Sequence, residues 1–114
     1  MIIAPSHINL LNTTFSLVPL DAATFTDRDA IHIVMAYADD GDILMIDVGE
    51  SPEYGALPFD SAERRAGWLR VAPASAILVG THHLPTDENM RQDRVLLIQR
   101  LREKYRPPMG TFSH

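Results

Sequence analysis

Five side chains have the types that acid-base or phosphoryl chemistry needs: His32, Asp47, Glu50, Arg64 and Arg65. His32 interrupts the apolar run Ile31–Tyr37 and Asp47 the run Ile43–Val48, each near the end away from the intervening turn, where a site would open. Histidine can take or give a proton near neutral pH, and a neighbouring carboxylate can orient it or act as the base. A guanidinium from Arg64 or Arg65 would neutralise charge developing on a phosphate. If the two runs pair so that position numbers sum to 79, His32 lies opposite Asp47, with Val34 opposite Met45 and Ala36 opposite Ile43. The functional reading is then an acid-base couple; the structural and more ordinary one is a buried histidine satisfied by a carboxylate. A slip of one residue in register would separate them.

Other polar clusters carry less. His82 and His83 are neighbours in a strand-like run, so they point to opposite faces and do not share a metal ion, and no third ligand accompanies them. Asp39, Asp40 and Asp42 surround Gly41 as loop residues, without the terminal glutamate of a calcium loop. Arg91, Arg94, Arg100, Arg102, Lys104 and Arg106 spread around a helical stretch with Asp93 and Glu103 nearby, which favours a solvated face over a phosphate-binding stripe. Cysteine is absent, which removes disulfides, thiolate nucleophiles and cysteine zinc sites. Neither a metal site nor a cofactor is expected.

These side chains hang on a β-hairpin. Ile31–Tyr37 and Ile43–Val48 flank Asp39-Asp40-Gly41-Asp42, a turn too short for anything but antiparallel pairing. Both strands are apolar on both faces, so the hairpin should lie in the middle of the fold with chain packed above and below. Before it, residues 1–13 read as an edge segment or a loosely held arm, and Phe15–Leu20 as a strand that lies at an edge or ends at Pro19. After it, 50–59 is a loop rich in proline, and Asp60 or Ser61 caps a helix over Ala62 to about Val71 anchored by Trp68 and Leu69. Ala76–His82 is the next strand. Thr86 caps the last helix, whose Met90, Leu97, Ile98, Leu101 and Tyr105 form the packing stripe and whose exit is Pro107-Pro108.

The chain of 114 residues is long enough for one domain with its own core, and 46% hydrophobic with 22% charged residues is an ordinary globular balance. No run approaches the ~20 apolar residues of a membrane span, and the first residues lack the basic and apolar regions of a signal peptide, so a soluble, cytoplasmic protein is expected. The net charge of -5 is unevenly spread: residues 1–60 hold ten carboxylates against Arg28 alone, whereas 61–114 hold nine basic and five acidic side chains. An acidic balance counts against general affinity for DNA, while the basic half leaves a local patch open.

Taken in order, these features resemble the GIY-YIG nuclease superfamily, over about residues 14–110. Ala30-Ile31-His32 stands at the first name-giving tripeptide, Asp47-Val48-Gly49 followed by Glu50-Ser51 at the second, and Arg91 through Pro107-Pro108-Met109-Gly110 resembles the closing helix and its exit. The resemblance implies an α+β fold, a small antiparallel sheet built on a central β-hairpin and flanked by helices. It also implies cleavage of phosphodiesters with one divalent cation on a helical glutamate, water activated near a tyrosine, and an arginine on the phosphate. In this chain Ile98 stands nine residues before Pro107, where that glutamate falls, and Leu57 eight after Gly49, where the arginine falls. His32 and Asp47 replace the two tyrosines and Gly110 the asparagine. An isoleucine ligates nothing, so the expectation is a degenerate member without nuclease activity, a binding or interaction module whose partner is a protein or small ligand rather than nucleic acid. The resemblance places His32, Asp47, Gly49, Glu50, Arg64, Arg65 and Ile98 around one pocket. An enzyme reusing His32 and Asp47, a weak nucleic-acid binder through the last helix, and a homo-oligomer remain open alternatives.

Overall fold

The computed structural model describes residues 6–23, 30–37, 40–51, 61–83 and 88–108. Five strands, β1 (His7–Leu10), β2 (Thr13–Pro19), β3 (Ala30–Tyr37), β4 (Ile43–Ser51) and β5 (Leu78–His83), form one curled antiparallel sheet in the order β1-β2-β5-β3-β4. Helix α1 (Ala62–Val71) follows β4 and helix α2 (Glu88–Tyr105) follows β5. The fold is α+β, as expected. Among the described residues no helix is long and apolar enough to cross a membrane.

Alternation along β3 divides the core. Ile31, Ile33 and Met35 face α2 and pack with Phe15, Leu17, Met45, Val48, Ile98 and Leu101, with Leu97 and Tyr105 partly buried beside them. Val34 and Ala36 face the other way and pack with Leu20, Ile46, Trp68, Ile77 and Val79 under α1. The apolar character of β3 on both faces thus has its cause in a helix on each side, and the stripe read from Leu97, Ile98, Leu101 and Tyr105 is the face that α2 buries. Gly80 sits where the sheet leaves no room for a side chain: a Cβ there would lie 2.6 Å from Ile33 Cγ1.

Some expectations need correction. The hairpin is central between the helices but not across the sheet, because β5 inserts between β2 and β3 and leaves β4 at the border. β2 ends at Pro19, the second of the two expected alternatives, and is an interior strand, bordered by β1 over Thr13–Ser16 and by β5 over Ser16–Pro19, so that Pro19 lies beyond the reach of β1. The edge is β1 itself, joined to β2 by Leu11-Asn12, both at positive φ. Leu69 does not anchor α1: it is 49% exposed, while Trp68 is fully buried and Ser61 caps the helix by accepting from the Arg64 amide at 3.3 Å. Glu50 and Ser51, expected to open the loop 50–59, are instead the last residues of β4; residues 52–59 with Leu57, and also Asp60, the Thr86 cap and Gly110, lie outside the described residues.

Candidate functional site

The register of the hairpin decides the geometry around Asp47. His32 lies opposite Gly49 and Val34 opposite Asp47, and the ladder shifts at Val34/Met35 so that Met35 pairs with Met45. The residue left over on β4 is Ile46, a β-bulge that kinks the strand and lets two successive side chains serve one face. Ile46 packs with Trp68 in the α1 layer, and Asp47 also reaches Trp68. The expected pairing, with numbers summing to 79, is therefore off by two positions here. His32 and Asp47 share the α1 face as diagonal neighbours, not as an opposed pair.

Asp47 is fully buried and accepts four hydrogen bonds, two on each oxygen: Oδ1 from the Val48 amide at 2.9 Å and Arg64 Nη2 at 3.1 Å, Oδ2 from Arg64 Nε at 2.7 Å and Trp68 Nε1 at 2.8 Å. Arg64 and Trp68 are four apart on α1, so one helix face supplies both. The side-on guanidinium, itself 18% exposed, balances the buried charge. A carboxylate has about four lone-pair directions, and all are taken here, leaving none to receive a proton or ligate a cation without breaking a bond. The arrangement ties α1 to the border strand of the sheet.

His32 is also buried, at 1% exposure, and its Nδ1 is 3.1 Å from Thr81 Oγ1 on the neighbouring strand β5. The partner expected from sequence was a carboxylate; the hydroxyl opposite His32 on β5 is the one bonded to it, and it could be foreseen only by knowing that β5 pairs with β3. His82 and His83 end β5 on opposite faces, His82 with its ring 5.9 Å from that of Phe15 and its Nδ1 donating to the Thr14 carbonyl at 3.0 Å.

The seven residues expected around one pocket are divided between the two faces. By alternation His32, Asp47 and Gly49 face α1, with Arg64 over them, whereas Glu50 faces α2 beside Val48 and Ile98 is 6% exposed within the α2 layer. Arg65 is half-buried on α1. Sequence reasoning missed three contributors: the Trp68 indole as a donor, Thr81, and Arg102, whose Nη2 donates to the Val48 carbonyl at 2.9 Å. The first had a signal, since Arg64 and Trp68 share a helix face beside Asp47. Among the described residues no group of three or more histidine, aspartate or glutamate side chains is placed to hold a metal ion.

The fold and site define the class as an α+β domain whose curled antiparallel sheet is clamped between two helices, with one saturated carboxylate at the junction. No family model matches the chain, and no curated protein or solved structure is significantly similar to it.

Proposed function

We propose that this chain is a degenerate GIY-YIG-like domain that does not hydrolyse phosphodiesters and serves as a soluble, cytoplasmic binding or interaction module, its partner a protein or small ligand. The observation that carries the reading is the saturation of Asp47: among the described residues it is the one buried carboxylate, and it already accepts from Arg64, Trp68 and Val48. Ile98 supports it, because the position where the resemblance puts the metal-binding glutamate is packed with Leu101 and Val48. An acid-base couple of His32 and Asp47 would need the two in contact, and each is engaged elsewhere.

The test is incubation of the purified chain with single- and double-stranded DNA in magnesium or manganese, with a chelator control. No cleavage is expected. Metal-dependent nicking that persists through purification and is lost in His32→Gln or Asp47→Asn protein would sink the reading.

A further inference from the structure

Among the described residues the outer side of β4 is a border of the sheet, nine residues long and mostly apolar. Such an edge pairs with strands of other chains unless something prevents it. In an antiparallel ladder, successive residues alternately direct their backbone N–H and C=O at the partner strand or away from it. Val48 directs both away from β3: its N–H donates to Asp47 Oδ1 at 2.9 Å, and its carbonyl accepts from Arg102 Nη2 at 2.9 Å. The two side chains arrive from opposite layers, Asp47 held in place by Arg64 and Trp68 of α1, and Arg102 projecting from α2.

We propose that Asp47 and Arg102 together guard the β4 edge, occupying both outward backbone groups of Val48 so that a strand from a second copy of this chain cannot pair there. Nothing in the guard depends on whether the domain descends from a nuclease. It gives the buried carboxylate and the arginine of the opposite helix a common task, and the bulge at Ile46 adds to it by breaking the regular spacing that an incoming strand would need. The guard also leaves α1 clamped to Asp47 and α2 to Val48, two successive residues of β4, so opening the edge requires loosening a helix.

Asp47 holds α1 as well as Val48, so Arg102 is the informative position. In Arg102→Ala protein, light scattering over a concentration series should show self-association at least about tenfold tighter than wild type, the scale of one inter-chain hydrogen bond gained at each of two edges. Adding Leu44→Lys, an exposed change on the same strand, should reverse it, since lysine on an edge repels an incoming strand. Leu101→Ala, which loosens the same helix but leaves both outward backbone groups of Val48 occupied, should remain monomeric. In wild-type protein the Val48 amide, though outward on a border strand, should exchange slowly with solvent. A monomeric Arg102→Ala protein, equal association in Leu101→Ala, association that survives Leu44→Lys, a wild type already paired through β4, or fast exchange at Val48 would each overturn the proposal.

Discussion

A buried carboxylate held for reaction and one held for architecture differ in what neutralising it does to the fold. Asp47→Asn keeps the shape but replaces an acceptor by a donor, so at least one of Arg64, Trp68 and the Val48 amide must face an N–H instead of an oxygen. Denaturant unfolding should show a loss of ~1–3 kcal/mol or more, the cost of leaving buried groups unpaired. Trp68→Phe, which removes the indole donor and keeps most of the ring, should lose ~1–3 kcal/mol by the same argument. An Asp47→Asn protein as stable as wild type, or more so, would instead mark Asp47 as a group strained for function. At this scale the sequence singled out His32 and Asp47 correctly as the polar exceptions in apolar strands, and both are buried. The His32 partner was not legible, because Thr81 lies far along the chain and only the strand order brings it near, whereas Arg64 and Trp68 share the helix face that meets Asp47.

Among the elements, α1 was readable because a capping residue, Asp60 or Ser61, precedes it, and the structure selects Ser61; α2 was readable because its stripe repeats at helical spacing. The hairpin β1–β2 was not, since its turn is Leu11-Asn12 and a leucine at φ 50° carries no turn signature; its side chain packs against the α2 layer, which offsets the backbone cost. The insertion of β5 between β2 and β3 has no local signal at all. What α2 does to the sheet can be tested at Ile98. Glutamate there would lose contacts with Leu101 and Val48 and bring an unpartnered carboxyl into an apolar layer, so Ile98→Glu should lower stability by several kcal/mol. Ile98→Val, the control for volume alone, should cost ~0.5–1.5 kcal/mol. Calorimetry with and without magnesium separates the cases: a fully stable Ile98→Glu protein whose melting temperature rises with the cation would mean that a cation site is formed around position 98 and lacks only its ligand.

Over the whole molecule the two signs of charge are segregated along the chain, with an acidic first half and a basic second half. Among the described residues the basic side chains of the second half are divided between α1 and α2, on opposite faces of the sheet. Among the described α2 cations, Arg102 is turned inward to Val48, while Arg100 and Lys104, one turn apart, are exposed with Asp93 and Glu103 exposed on the same helix; Arg106 follows beyond its end. With Arg91 and Arg94 of the same helix counted beside Arg100, Lys104 and Arg106, five phosphate contacts are the upper limit. Each contact contributes about 0.9 to the slope of log affinity against log salt, so DNA binding should weaken by no more than about five-hundredfold between 50 and 200 mM salt, less than the roughly thousandfold or more of a dedicated binder. The dissociation constant at physiological salt should be no tighter than the non-specific range of about 10⁻⁴–10⁻⁶ M. Fluorescence anisotropy with a labelled duplex across a salt series measures both quantities. Arg100→Glu with Lys104→Glu should lower the slope by about 1.8, two contacts' share, while leaving the melting temperature nearly unchanged, because both side chains are exposed and neither packs on the sheet. Tight, salt-resistant binding that depends on base sequence would place the partner surface elsewhere in the molecule and make nucleic acid, not protein or a small ligand, the partner.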